Sequence, residues 1–174
     1  MIMYPRLLRS ILICALLVFC VGCDQITKDL ARQQLASAPP ISWFHDMVRL
    51  EFAENPGAFL SLGAELSDGF RVVLFQVLPV VWLVSALALL VWSRSLSPIV
   101  LVGWTLILSG GIGNLLDRLL NHGRVIDFMN LGIGPIRTGI FNLADIFITA
   151  GVLLLLRHGF HQRDSSNSLS TRHL

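Results

Sequence analysis

Four apolar stretches, Leu7 to Gly22, Val72 to Trp92, Pro98 to Leu116 and Ile140 to Leu156, decide what this 174-residue chain can become. Each lies near the roughly 17 to 25 residues that a spanning helix needs, because every backbone amide in lipid must be bonded within its own helix. A water-soluble fold is excluded by composition. Charged residues make up 14% of the chain and hydrophobic residues 54%, against roughly 25% charged in a soluble domain, so too few polar groups exist to coat a globule. The expectation is an all-α integral membrane protein with four transmembrane helices, forming one domain over residues 1–160. The polar tail that follows, residues 161–174, has the composition of disordered cytoplasmic chain.

Four spans place both termini on one side. Arg6, Arg9, Arg94, Arg157, Arg163 and Arg172 fall on that side, whereas Lys28, Arg32, Arg49, Arg71, Arg118, Arg124 and Arg137 are spread over much longer opposite segments. The density of positive charge therefore predicts both termini in the cytoplasm. The outward face then carries two excursions, Asp24 to Arg71 and Asp117 to Gly139. Within the first, Val48-Arg49-Leu50-Glu51-Phe52 alternates apolar and charged residues as a half-buried strand does, Pro39-Pro40 stops any helix, and Trp43-Phe44 suit a bilayer interface. The second is rich in glycine and reads as a short extended excursion. A small extracytoplasmic β element, with a short helix or loop, thus accompanies the four spans.

Several function classes fall away. A net charge of +2 with scattered basic residues does not suit nucleic acid. Cys14, Cys20 and Cys23 all lie in the first apolar run, and His45, His122, His158, His161 and His173 are dispersed. Neither a disulfide framework nor a metal site is indicated. Val21-Gly22-Cys23 resembles the lipobox at which bacterial lipoproteins are lipidated and cut. That would make the chain a substrate beginning at Cys23, yet three further spans follow, which a secreted lipoprotein has no reason to carry. The first run reads better as an uncleaved span.

Charges near or inside apolar spans are costly and must be paired, neutralised or functional. Asp24 and Lys28 stand four apart and share a helix face, where they can form a helix-end ion pair. Asp117-Arg118 follows Ser109-Gly-Gly-Ile-Gly-Asn114, whose small residues Ser109 and Gly113 permit close helix packing. A structural pair and a cross-helix bond from Asn114 account for this block. Asp145 lies in an otherwise uncharged span with no cation three or four residues away. The nearest acidic residue in the same outward layer is Asp127, joined to it by the glycine-rich excursion. Two adjacent carboxyls hold one proton between them over some pH range. Such a pair serves an aspartic protease, a proton relay, or structure alone, and spacing does not choose among these.

The ordered blocks Asp24-Gln-Ile-Thr-Lys28, Asn55-Pro-Gly-Ala-Phe59, Gly110-Gly-Ile-Gly-Asn-Leu-Leu-Asp-Arg118, Val125-Ile-Asp-Phe128 and Phe141-Asn-Leu-Ala-Asp145 resemble bacterial lipoprotein signal peptidase, or signal peptidase II. The resemblance implies a membrane aspartic endopeptidase of the bacterial inner membrane. Such an enzyme cuts diacylglyceryl-modified prolipoproteins on the N-terminal side of the lipidated cysteine, near the extracytoplasmic face. By the same motifs Asp127 and Asp145 are the catalytic pair. Asp24, Lys28, Asn55, Gly57, Asn114, Asp117, Arg118 and Asn142 are the supporting, substrate-binding set. No metal or organic cofactor is implied, the partners are prolipoprotein substrates and membrane lipid, and a monomer suffices. Two departures stand out: Phe59 arrives one residue early in its block, and Ile146 replaces the usual small residue after the second aspartate.

Overall fold

A computed structural model describes residues 6–58, 62–93 and 96–170; Phe59, Arg94, Arg172 and His173 lie outside the described residues. Its helices are α1 (Arg6–Leu35), α2 (Asp68–Val72), α3 (Leu78–Trp92), α4 (Pro98–Leu120) and α5 (Leu143–Ser170), with a π-helical turn, Val73–Val77, joining α2 to α3. Four segments, Leu7–Leu35, Asp68–Trp92, Pro98–Leu120 and Leu143–Gln162, are long and apolar enough to cross a membrane. Their large apolar side chains are mostly exposed, as lipid-facing helices require; Phe70, Val81, Leu89 and Trp92 are examples.

Helix ends follow local chemistry. The Ser97 hydroxyl accepts the Val100 N–H with Pro98 in the first turn, a standard helix start. α1 does not stop at Gly22 as its hydropathy suggests. It runs on through Asp24 and Lys28 to Leu35, ahead of Pro39-Pro40, because its polar residues there are buried against other helices. α5 begins at Leu143 instead of Ile140, and it continues to Ser170, where composition alone predicts irregular chain from residue 161 onward. No glycine or proline follows Gly159 to interrupt that run.

Ile13, Leu83, Leu90 and Leu108 form an apolar seam among α1, α3 and α4, and the Arg9 guanidinium caps the end of α3 by donating to the Leu90 and Ser93 carbonyls. α4 and α5 pack backbone to backbone. A Cβ on Gly110 would stand 2.3 Å from the Ala144 carbonyl oxygen, and one on Gly113 would stand 2.5 Å from Asp24 Oδ2. Gly110 and Gly113, more than the Ser109–Gly113 spacing, let the first turn of α5 reach α1 and α4.

Over the end of the bundle where α1 stops and α5 starts lies a four-stranded antiparallel sheet in the order β1 (Ile41–Trp43), β2 (Val48–Asn55), β3 (Val125–Ile133), β4 (Ile136–Arg137). The two excursions thus form one sheet, larger than the single strand that alternation marks. Ala31 and Leu35, one turn apart on α1, pack with Phe128, Leu50 and Phe52, so the end of α1 supports the sheet. A bulge between Leu50 and Ala53 shifts the β2–β3 register, after which Ala53 faces Asp127 and Asn55 faces Val125.

Candidate active site

The second carboxyl is built by a helix start. Asn142 precedes the first residue of α5; its Oδ1 accepts the Asp145 N–H at 3.1 Å, and its own N–H donates to Asp145 Oδ2 at 3.2 Å. This is a reciprocal capping box, with asparagine and aspartate in place of the usual serine and glutamate. Asp145 therefore sits in the first helical turn, and not deeper in the span as the hydropathy boundary implies. Its other oxygen, Oδ1, accepts Asn114 Nδ2 at 2.9 Å.

The first carboxyl comes from β3. A bridge between Met129 and Phe141 draws β3 alongside the segment leading into α5, which places Asp127 beside Asn142. Asn142 Nδ2 donates to Asp127 Oδ1 at 2.7 Å, and Asn55 Nδ2, arriving from β2, donates to Asp127 Oδ2 at 3.0 Å. One fully buried residue, Asn142, thus bonds both aspartates, the first through its side-chain amide N–H and the second through its main-chain N–H and its side-chain oxygen. Asp127 is 3% exposed. Burial pushes its carboxyl up from 3.8 to about 6; the nearby Asp145 charge raises it further, while the amides of Asn55 and Asn142 and the Lys28 charge oppose the rise.

Behind the pair lies a buried ionic cluster. Lys28, 1% exposed, contacts Asp24 Oδ2 at 2.8 Å and Asp117 Oδ2 at 3.1 Å, and donates to Asn114 Oδ1 at 3.0 Å. Each carboxylate also accepts a backbone N–H: Asp24 from Ala144 at 2.8 Å, Asp117 from Ile126 at 2.9 Å. Ala144 immediately precedes Asp145, and Ile126 immediately precedes Asp127. The cluster therefore holds the chain one residue ahead of each aspartate, and a single ammonium ties the two anchors together. Lys28 and Asn142 both donate to Asn114 Oδ1, which turns the Asn114 amide nitrogen toward Asp145. Asp24 and Lys28 thus pair across one helical turn, as their spacing predicts, but the pair is buried within the fold and α1 does not end there.

Asp117 does not pair with Arg118, contrary to the expectation for that block. The Arg118 guanidinium donates to the Gly57 carbonyl at 2.7 Å and to the Asn114 carbonyl at 3.1 Å. Gly57 N–H in turn donates to Asn55 Oδ1 at 2.9 Å, and Asn55 Nδ2 also reaches the Ala58 carbonyl at 3.0 Å, a turn closed by its own asparagine. All ten candidate residues, Asp24, Lys28, Asn55, Gly57, Asn114, Asp117, Arg118, Asp127, Asn142 and Asp145, are brought into one hydrogen-bonded network. Gln25 belongs to it as well: its amide donates to Asp117 at 3.0 Å and to Asp24 at 3.2 Å. Its position beside Asp24 in the first block was the available signal. Phe75, whose ring lies 5.6 Å from the Arg118 guanidinium carbon, carries no such signal in the sequence. Among the described residues no group of His, Cys, Asp and Glu is placed to hold a metal ion.

Comparison with known proteins locates this network in a wider group. The profile of the family described as signal peptidase (SPase) II matches residues 16–161. A lipoprotein signal peptidase of Streptococcus pneumoniae is 33% identical over 148 residues, covering 85% of this chain and 92% of its own. One from Borrelia hermsii is 30% identical over 169 residues, covering 94% and 96%. A solved structure of a bacterial membrane enzyme superposes with a TM-score of 0.75 at 25% identity, covering 89% of this chain and 90% of that one.

Proposed function

Because this chain belongs to the signal peptidase II family, bacterial membrane enzymes that remove lipoprotein signal peptides, we propose that it works as an aspartic endopeptidase through Asp127 and Asp145. The observation that carries this reading is the convergence of both carboxyls on Asn142, with Asn55 and Asn114 bonded to their remaining oxygens. Four asparagine-derived N–H groups orient the pair, and among the described residues no cation lies within ion-pair distance of either aspartate. Such a pair is free to share a proton.

The chemistry follows from that proton. Asp127, deeply buried and titrating near 6, holds it in the resting pair and points it at the carbonyl oxygen of the scissile bond. Asp145 takes a proton from a water between the carboxyls as the water oxygen attacks the carbonyl carbon. The carbonyl oxygen receives the Asp127 proton, giving a neutral tetrahedral diol. Asp145 then returns its proton to the departing nitrogen while a diol hydroxyl reprotonates Asp127. The C–N bond breaks and the pair is restored with one proton.

The substrate is a diacylglyceryl prolipoprotein, cut on the N-terminal side of the lipidated cysteine. Its acyl chains lie among the spans and its peptide lies extended at the sheet. β1 covers β2 only from Val48 to Leu50, so the stretch of β2 from Glu51 to Asn55, leading into the Asn55–Ala58 turn, is the edge that offers backbone bonds to an extended peptide. The remaining features of the proposal are a monomer, residues 1–160 as the peptidase domain, both termini in the cytoplasm and the pair at the extracytoplasmic face. A single chain supplies every group around the pair, and the density of basic residues near the termini gives the orientation.

The alternative in which the chain is itself cut at Cys23 is disfavoured by α1, which is continuous across Cys23, and by Asp24, whose carboxylate anchors α5. Depletion of this protein in its host, followed by mass analysis of membrane lipoproteins, tests the function. Uncleaved, diacylated prolipoprotein should accumulate, and complete maturation without the protein would refute it.

A further inference from the structure

The π-helical turn in the second span is not explained by spanning a membrane, since hydropathy reads that segment as ordinary helix. Its cause is local. Pro79 cannot donate a hydrogen bond, and in a regular α-helix its ring would press against the carbonyl of Phe75, four residues earlier. Widening the turn over Val73–Val77 removes that conflict. Phe75 is the middle residue of the widened turn.

Two independent contacts converge on its ring. On one side lies Arg118, whose guanidinium carbon is 5.6 Å from the ring centroid. At the tip of the ring lies Gly63, in a left-handed conformation (φ 80°), where a Cβ would stand 2.8 Å from Phe75 Cζ. Gly63 thus rests on the same ring, and the Leu62 carbonyl just before it accepts the Ala58 N–H at 2.8 Å. From Arg118 a chain of bonds leads to the reactive pair: guanidinium to the Gly57 carbonyl, Gly57 N–H to Asn55 Oδ1, Asn55 Nδ2 to Asp127 Oδ2. The guanidinium Nε is buried without a hydrogen-bond partner, so the ring face is part of what seats this cation.

We propose that Phe75, presented by the π-helical turn, is a positioning residue for hydrolysis: it seats Arg118, and through Arg118 and Gly57 it holds Asn55 against Asp127. Phe75 acts on the pair through Arg118. The inference rests on the aspartic-endopeptidase reading above, and a loss of turnover in Asp127→Asn and Asp145→Asn tests that reading without reference to Phe75.

The test compares Phe75→Leu, which keeps apolar bulk without a ring, with Phe75→Tyr, which keeps the ring. The full-length enzyme in detergent is assayed on a diacylglyceryl prolipoprotein. Phe75→Leu should lower kcat by about 10-fold, the scale of a desolvated cation–ring contact. It should also move the pH limb set by Asp127 upward, because a loosened Asn55 no longer favours the charged form. Phe75→Tyr should restore both. A double-mutant cycle of Phe75→Leu with Arg118→Lys should be clearly non-additive. Wild-type kcat and pH limb in Phe75→Leu would overturn the proposal. So would equal losses in the Leu and Tyr variants with an unmoved limb, or an additive cycle. Should Phe75→Leu fold poorly, Phe75→Met with the same cycle supplies the comparison.

Discussion

Replacing Lys28 with methionine probes the cluster behind Asp127 and Asp145. Lys28 is the only cation within ion-pair distance of Asp24 and Asp117 among the described residues, at 2.8 and 3.1 Å, and all three side chains are at most 3% exposed. Removing one partner of a buried pair costs about 3–5 kcal/mol, because the remaining charge is left uncompensated in a medium that solvates it poorly. Two carboxylates share this ammonium, so the upper end applies. At roughly 2–4 °C per kcal/mol for a chain of this size, the melting temperature should fall by about 10–20 °C. The loss can be followed in detergent by a thiol-reactive fluorophore in a Cys14→Ser, Cys23→Ser background, where the thiol left is that of buried Cys20. A triple variant, Asp24→Asn, Lys28→Met and Asp117→Asn, removes all three charges and keeps an acceptor oxygen for each of the Ala144 and Ile126 N–H groups. It should recover most of the lost stability. Lys28→Met melting within about 2 °C of wild type, or the triple variant melting below the single one, would mean that Lys28 does not hold the two buried carboxylates.

Three further outcomes follow from the same geometry. Asn55→Ala removes a donor that favours the charged form of Asp127, so the limb of kcat/KM near pH 6, which falls as the shared proton is lost, should move to higher pH; an unmoved limb would detach Asn55 from the pair. Asp127 titrates near 6 in the fold against an ordinary 3.8. Its contribution to stability is therefore full below about pH 4 and is lost as pH rises through 6, a change of about 3 kcal/mol. Asp127→Asn should gain that amount relative to wild type between pH 4 and 7 in melting experiments, and a pH-independent difference would contradict the assigned titration. Gly110→Ala forces a Cβ to within 2.3 Å of the Ala144 carbonyl, whereas a Cβ at Gly22 meets nothing within 4 Å. The first should destabilise by about 1–3 kcal/mol and reduce turnover, and the second should be neutral or stabilising by about 0.5–1 kcal/mol; equal melting temperatures would remove the close α4–α5 approach from the explanation.

Four spans, one strand around Val48 and the set of polar residues near the spans are legible in the sequence, because hydropathy and alternation are local signals. What hydropathy hides is where polar residues find partners. Asp24 and Lys28 mark the end of a span only if they face water; buried between α1, α4 and α5, they let α1 continue to Leu35. The Asn142–Asp145 capping box was available as an N-x-x-D spacing, and it alone places α5 three residues later than hydropathy does. The four-stranded sheet depends on pairing between β2 and β3, segments some 70 residues apart, which no local pattern encodes. Asp117 and Arg118 are adjacent in sequence, yet on a helix neighbouring residues face different directions, and the two serve different partners.

The proposal that Asp127 and Asp145 together perform the hydrolysis makes each carboxyl indispensable to cleavage. Its most direct test is the single-turnover conversion of a purified diacylglyceryl prolipoprotein by Asp127→Asn and Asp145→Asn, with substrate binding measured in parallel. Each variant should still bind the lipidated substrate while its cleavage rate falls by at least about 10³-fold, as expected when one half of an acid–base pair is removed. Cleavage at the wild-type rate by either variant would contradict the claim.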